Sequence, residues 1–150
     1  MPDVTETILK LAPGSPVAML RHERESVRAD TQGAYDALFY PKDPGNIPPA
    51  IRLSMGLRVA ELEHDIVLAE HFRGELGKLP ATPDDEAKAC LLAHAELVTN
   101  TPDAAGTNMQ ALRALGFNSR DIVAATQLVA FVTFHIRVLA GLRLLQEEAA

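Results

Sequence analysis

Apolar residues recur along this chain at intervals of three and four, and no stretch alternates between apolar and polar residues as a half-buried strand does. This pattern predicts an all-α fold of about eight helices. Proline, glycine and capping residues place these helices at 3–11, 16–28, 30–40, 49–63, 64–78, 83–99, 107–115 and 119–146. We expect them to pack as a helical bundle.

Side chains that can cap a helix predict where several of these helices begin. Thr82 is the expected cap of the helix at 83–99. Thr107 and Gln110 have the spacing of a capping box, in which two side chains bind each other's backbone N–H groups. For the last helix, Asn118 or Ser119 can serve as the cap.

The last predicted helix, 119–146, is the element around which we expect the others to pack. Its apolar residues fall on most of its sides, which is typical of a buried central helix or of a membrane span. Ionisable residues interrupt the run at Asp121, His135, Arg137 and Arg143. Because a span needs about 20 apolar residues with few charges, we predict a long buried C-terminal helix and no membrane insertion.

The segment 41–49, PKDPGNIPP, is a loop by composition, because proline and glycine dominate it. We predict that it separates an N-terminal helical arm, residues 1–47, from a main body, residues 48–150. A chain of 150 residues is long enough for one domain with a real core, so both parts are expected in a single domain.

Charge and cysteine content narrow the classes of function. The net charge of −6 argues against binding to nucleic acids or anionic membranes, since both require Lys and Arg to neutralise phosphates. Cys90 is the only cysteine, so no disulfide forms within the chain, and a reducing cytosol is the expected compartment. The N-terminal residues lack the order of a signal peptide. We predict a cytoplasmic protein without a metal or other cofactor.

Glu86, Cys90 and His94 are four residues apart in turn, which places them on one helix face. In such an arrangement His94 could deprotonate the thiol and Glu86 could orient the imidazole, as in nucleophilic or peroxidatic cysteine chemistry. The alternative is a Cys90 buried in an alanine-rich helix, because cysteine is among the most buried residue types.

His64, Asp65 and His71 lie close together near the junction of the two middle helices. His64 and Asp65 could share a metal ion with a third ligand, or His71 could act as a general base. No zinc-binding spacing of Cys and His supports the metal. The alternative is a solvated acidic rim formed by Glu61, Glu63, Asp65 and Glu70.

His135 and Arg137 interrupt the apolar helix at 119–146. A buried charge requires a partner or a wet cavity. Arg137 therefore either binds an anion in a pocket or pairs with an acid such as Glu96 or Asp65, within the chain or across a subunit contact.

Two segments carry a resemblance to a known family. They are IRLSMGLRVAELEHDIVLAEHF and CLLAHAELVTNTPDAAGTNMQALRALGFNSRDIVAATQLVAFVTFHIRVLAGLRLL. Across residues 50–145 the chain resembles the superfamily of carboxymuconolactone decarboxylase and AhpD-like (alkylhydroperoxidase D) proteins. Its N-terminal arm is similar to that of a subgroup described only as CMD-domain proteins.

The resemblance implies an all-α domain that forms dimers, trimers or hexamers. Redox members carry a C-x-x-C-x-x-x-H motif with an upstream Glu, and they reduce peroxides through a thiol–disulfide cycle. By this alignment, Leu53 replaces the Glu, and Asp65, Leu68 and Phe72 replace the two cysteines and the histidine. His71 lies one residue away from the histidine position. Without sulfur in this region, the disulfide cycle cannot run there.

Two hypotheses follow from these departures. In the first, which we favour, the fold persists without its redox centre, and the chain is a binding or companion protein. A pocket near His64, His71 and His135 then holds a small organic molecule, or the surface pairs with a second copy or with a cysteine-bearing relative.

In the second hypothesis the chain is an enzyme. One version is an acid–base catalyst similar to the decarboxylase branch, which uses His71, Asp65 or Arg137 on a lactone acid. The other is a single-cysteine peroxidase, in which Cys90 attacks the peroxide and an external thiol regenerates it.

Overall fold

The computed structural model describes residues 2–150, which form eight α-helices and no strand. The helices are α1 (Val4–Leu9), α2 (Pro16–His22), α3 (Glu25–Phe39), α4 (Pro49–Leu62), α5 (Ile66–Leu76), α6 (Glu86–Asn100), α7 (Met109–Ala114) and α8 (Ser119–Ala149). A short 3-10 helix, Pro102–Asn108, joins α6 to α7. The predicted all-α bundle with a long C-terminal helix is confirmed.

Helix α4 lies at the centre of the packing and contacts α5, α6 and α8, while α1, α2 and α3 pack onto α8 from the N-terminal side. One apolar cluster runs through the whole bundle. It includes Val4 and Phe39 from the N-terminal part together with Leu68 and Leu128 from the body. The helices that we assigned to an arm therefore contribute to the same core as the rest.

Gly56 allows α4 to approach two aromatic rings. A Cβ atom at this position would lie 2.8 Å from Cζ of Phe72 and 2.9 Å from Cε1 of Phe39. Neither ring can move away easily in a close-packed interior. Glycine is therefore the residue that lets the α3 and α5 rings, whose centroids are 5.1 Å apart, stack beside α4.

The start of α8 is held by a reciprocal cap. The backbone N–H of Asp121 donates to Oδ1 of Asn118 at 3.0 Å, and the backbone N–H of Asn118 donates to Oδ2 of Asp121, also at 3.0 Å. The same carboxylate accepts two bonds from Asn46 in the proline-rich loop. Asn118 is thus the cap, and Asp121 ties the loop to α8.

Burial of α8 is one-sided, which differs from our expectation of a helix enclosed on most sides. Ile122, Leu128, Val132 and Leu139 face the core, whereas Val123, Phe134 and Leu144 are 54%, 48% and 66% exposed. By length and composition α8 is apolar enough to cross a membrane. Of its most apolar 18-residue stretch, 28% is buried inside the fold. The core helix of a soluble protein can have the same length and composition.

Two predicted caps are wrong. Asp85, not Thr82, caps α6, because its carboxylate accepts the N–H of Lys88 at 2.8 Å and the chain before it stays extended. Thr107 lies inside the 3-10 helix and donates its hydroxyl to the carbonyl of Ala104. It is therefore not available for a capping box.

The break that we predicted between the helices at 16–28 and 30–40 lies earlier, at residues 23 and 24, so that residues 25–28 belong to α3. Leu20 of α2 and Val27 of α3 are about half exposed. The bend lets Arg21 and Arg28 reach the same carboxylate oxygen of Glu6, at 3.0 and 3.1 Å. In a straight helix these residues would lie roughly 10 Å apart along the axis.

Candidate functional site

Three of the four positions that the expected alignment matches to the redox motif are part of the dry core. Leu53, Leu68 and Phe72 have exposed fractions of 0%, 0% and 1%. Apolar side chains fill the space between α4 and α5. These three side chains have no polar group that could bind or activate a peroxide. The interface between the two helices is a packing contact.

Asp65 has a structural role in this fold. It caps α5 by accepting the N–H of Leu68 at 3.0 Å. Its two oxygens also accept from Nη1 and Nη2 of Arg143 at 2.9 and 3.0 Å, so the ion pair joins the start of α5 to α8. Because Asp65 is buried and paired, it does not belong to the solvated acidic rim that we considered, and its carboxylate has no free oxygen for catalysis.

His71 meets Tyr35 at the wall of an open groove. Nε2 of His71 and Oη of Tyr35 are 2.8 Å apart, and the hydroxyl donates or accepts according to the imidazole tautomer. Burial lowers the pKa of His71, and burial raises the pKa of Tyr35 well above its usual range. Both groups are therefore neutral at physiological pH, and each can donate or accept a hydrogen bond.

The groove beside this pair lies between α1, α3 and α5 and has a volume of about 700 Å³. Its polar lining includes Asp3, Arg28, Gln32, Asp36 and Glu75. At its edge the hydroxyl of Tyr40 donates to Oε2 of Glu75 at 2.7 Å. A concave site of this size, with a few converging polar groups, has the general form of a small-molecule site.

His135 lies behind this groove in a sealed contact between α1 and α8. It is 1% exposed, and its Nε2 is 3.0 Å from Oγ1 of Thr5. Burial, with a further contribution from the neighbouring His71, lowers its pKa to about 4. His135 lines neither the large groove nor any smaller one described below, so it supports the wall rather than contacting a ligand.

A buried network of charges fastens α1 to α2 and α3. Asp3 receives two bonds from the guanidinium of Arg21, at 3.0 and 2.8 Å, and Glu6 binds Arg21 and Arg28. Burial alone would raise the pKa of Asp3, but the bonds from Arg21 and from the backbone N–H of Glu6 lower it. This network forms one wall of the groove.

The predicted arrangement of Glu86, Cys90 and His94 is not assembled. The thiol of Cys90 donates to Oδ1 of Asn108 at 3.6 Å, and Asn108 returns a bond from Nδ2 to the Cys90 carbonyl at 3.0 Å. Glu86 is exposed. The half-buried cysteine thus bonds across to the residue before α7 instead of to the histidine.

His94 is buried between α6 and α8, where its Nε2 is 2.9 Å from Oγ1 of Thr126. Thr126 already donates its hydroxyl to the carbonyl of Ile122, so Nε2–H of His94 must be the donor to it. Nδ1 is then an unprotonated atom that has no partner among the described residues. Burial lowers the pKa of His94, in agreement with a neutral ring.

The remaining predicted pocket residues, His64 and Arg137, are both exposed and far apart in the chain. His64 lines a separate groove of about 270 Å³ beside Glu61 and Arg73. Within the chain, Arg137 pairs with neither of the acids that we considered. Its guanidinium donates to the carbonyl of Thr133 in its own helix, whereas Asp65 binds Arg143 and Glu96 binds another arginine, Arg58.

The structure therefore brings together one predicted residue, His71, with one that sequence reasoning missed as a functional residue, Tyr35. Tyr35 lies on α3, inside the helix predicted at 30–40. The signal that could have indicated Tyr35 is its hydroxyl, because a buried tyrosine hydroxyl normally requires a hydrogen-bond partner. Within the described part of the chain, no group of three His, Cys, Asp or Glu side chains is placed to hold a metal ion.

Comparisons with known proteins add no relative to this picture. No family model, no curated protein and no solved structure matches the chain.

Proposed function

We propose that this chain binds a small organic molecule in the groove between α1, α3 and α5, and that it is a member of the AhpD-like superfamily without a redox centre. The hydrogen-bonded pair of His71 and Tyr35 carries the proposal. These two neutral groups line the groove together with the carboxylates of Asp36 and Glu75.

Support for the superfamily part comes from the two sequence segments and from the positions to which they align. The replacement of the motif residues by Leu53, Leu68 and Phe72 leaves those positions apolar and buried. A frame of this kind keeps its fold through packing alone. The polar residue next to these positions is His71, which precedes Phe72 on α5 and lies on the side that faces the N-terminal helices.

The companion role and the cytoplasmic location belong to the same proposal. The exposed apolar residues on α8 favour a partner, because large apolar side chains grouped on a surface often mark an interface. The inward face of α8 supports a soluble protein, since it packs against α4 and α6 as a core helix does. A single cysteine fits a reducing compartment.

Binding can be tested by screening a library of small polar and aromatic compounds against the ¹⁵N-labelled chain by NMR. We expect hits to shift the amide signals of α1, α3 and α5 around the groove. Tyr35→Phe and His71→Gln should each weaken a hit by about tenfold, because each variant loses one hydrogen bond to a polar ligand. His64→Gln, in the separate groove, is the matched control and should bind as the wild type does.

If no compound shifts these signals, or if His64→Gln loses binding as strongly as His71→Gln, the groove is not the site. Dithiol-driven peroxide turnover by the wild type that is lost in Cys90→Ser would contradict the absence of a redox centre.

A second candidate function is acid–base catalysis on a lactone acid, and the lowered pKa of His71 favours it. In this version neutral His71 accepts a proton from the carbon next to a carbonyl, and Tyr35 holds the imidazole in position. Turnover that rises with pH through a value below 6.5, and that is abolished in His71→Gln but kept in Cys90→Ser, would select the enzyme over the binding protein.

A further inference from the structure

The floor of the groove beside His71 runs along one face of α3. Six lining residues share this face of the helix: Glu25, Arg28, Ala29, Gln32, Gly33 and Asp36. At 1.5 Å per residue, the face is roughly 16 Å long. Its middle has small side chains, and a Cβ atom added at Gly33 would meet no other atom within 4 Å. The floor therefore has open space for an apolar chain.

The charged groups of the groove are mostly carboxylates. Those in the lining are Asp3, Glu25, Asp36 and Glu75. The cation among the lining residues is Arg28, and its guanidinium is already engaged. Nε of Arg28 lies 3.1 Å from Glu6 and 3.3 Å from Asp3, and Nη1 donates to Glu25 at 3.1 Å. Little positive charge is left there to attract an anion.

Asp36 is the lining carboxylate without a charged partner. Its Oδ1 accepts the side-chain amide of Gln32 at 2.9 Å, and no described Lys, Arg or His forms an ion pair with it. Glu75, on α5, pairs with the exposed Lys78 and accepts the hydroxyl of Tyr40. Counted with their bound cation, these two carboxylates leave one negative charge at this end of the groove.

Both carboxylates act on the same pair of phenols. Burial raises the pKa of Tyr35 and of Tyr40, and the charges of Glu75 and Asp36 raise it further. His71 is neutral because burial lowers its pKa, so it adds no compensating positive charge. The electrostatic potential at this end of the groove is therefore negative.

We infer that the groove binds a primary amine with an apolar tail, whose ammonium group donates to Asp36 while the tail lies over Gly33 and Ala29. An ammonium group has three N–H donors and no acceptor, which suits an end of the groove lined by carboxylate oxygens. A carboxylic acid would meet like charge there. This inference rests on the proposed function, since it names the class of ligand for the same groove.

Three compounds of matched shape test the ligand class: hexylammonium, 1-hexanol and hexanoate, each titrated into the ¹⁵N-labelled chain at neutral pH. An extended hexyl chain is long enough to run from Asp36 toward Ala29, which are roughly 10 Å apart along the helix axis. Hexylammonium should shift the amide signals of Gly33 and Asp36. Its affinity should exceed that of the other two compounds at least about tenfold, because the positive charge is what distinguishes it.

Asp36→Asn tests the carboxylate. This variant should weaken hexylammonium binding about tenfold, because it removes a charge-assisted hydrogen bond. Asp30→Asn is the matched control and should bind as the wild type does. It makes the same change at an exposed residue of the same helix, outside the groove.

Gly33→Leu tests the place of the tail. The new side chain should fill the floor of the groove and abolish hexylammonium binding. Leucine favours a helix more than glycine does, so the fold should persist, which circular dichroism checks. Gly74→Leu is the matched control, since Gly74 is also helical and open to solvent but lies on α5 outside the groove.

Equal or tighter binding of 1-hexanol or hexanoate would overturn the inference, as would full affinity for hexylammonium in Asp36→Asn or in Gly33→Leu. Preference for hexanoate would favour the lactone acid of the second candidate function. If hexylammonium does not bind, the inference is wrong, and the library screen decides separately whether the groove binds any compound. A hit from that screen would leave the proposed binding function standing without the amine.

Discussion

Two adjacent residues of α5, His71 and Phe72, face regions of opposite character. Phe72 points into the dry contact with α4, where its ring packs against Phe39 and beside Gly56. His71 points toward the N-terminal helices and binds Tyr35 at the edge of an open groove. One step along the helix, about 100° of rotation, separates a surface that only packs from a surface that can bind.

The two regions are held together by different kinds of contact. Between α4 and α5 the buried contacts are apolar, and the fully buried side chains stabilise the bundle by excluding water. The contacts around α1 are different. They depend on paired charges and on neutral histidines, which makes this side of the molecule sensitive to pH and to single polar substitutions.

The largest expected effect is on the dry side. Leu68→Ala should lower the free energy of unfolding by about 2–5 kcal/mol, because it leaves a cavity in a fully buried contact. Urea denaturation followed by circular dichroism measures the change. Ile66→Ala, on the same helix but exposed, should change stability by less than about 0.5 kcal/mol. Equal effects in both variants would mean that the contact with α4 is not the dry core described above.

The next largest effect is the loss of stability in acid, which we expect from the polar contacts around α1. The pKa of His135 is lowered to about 4 in the fold, so between that value and its ordinary 6.5 the unfolded chain binds more protons. Stability contributed by neutral His135 is therefore present above pH 6.5 and is lost as the pH falls toward 4. His71, Asp3, Arg21 and Asp65 are the charged or titratable groups that act on it.

We accordingly expect His135→Gln to flatten the decline in unfolding free energy between pH 6.5 and 4, measured by urea denaturation at several pH values. His64→Gln is the control and should keep the wild-type slope, because His64 is exposed. If the two variants show the same slope, the acid response comes from other buried groups such as His71 and His94.

The smallest effect concerns the hydrogen bond between Tyr35 of α3 and His71 of α5. Tyr35→Phe keeps the ring contact with Phe39, whose centroid is 4.8 Å away, and removes only the hydroxyl. We expect a loss of about 0.5–1.5 kcal/mol in thermal or urea unfolding. A much larger loss would mean that the hydroxyl is an essential part of the core, and an unchanged stability would leave it a role in ligand binding alone.

Much of the secondary structure could be predicted from local patterns. The order of the main-body helices and the proline-rich loop were correct, and Asn118, one of the two caps considered for the last helix, caps α8. Each depends on residues within a few positions of one another. The position of the break between α2 and α3 could not be predicted in this way. It accompanies the convergence of Arg21 and Arg28 on Glu6, a contact between residues 15 and 22 positions apart.

The candidate site was predicted only in part. His71 stood out as a histidine near the motif positions, but its partner is 36 positions away in α3. Nothing in the spacing of either residue indicates the pair. The Cys90 arrangement failed for a similar reason: helical spacing places side chains on one face, but Asn108 offered the thiol a bond from another element.

By itself, the sequence determined that this chain is helical, which residues are apolar enough to form its core and that no cysteine pair exists, because these properties follow from composition and short-range periodicity. Only the tertiary structure decided which side of α8 is covered, which arginines neutralise which carboxylates and that His71 meets Tyr35 at a groove. These outcomes depend on packing between distant segments, where several partners of similar chemistry compete and geometry selects one.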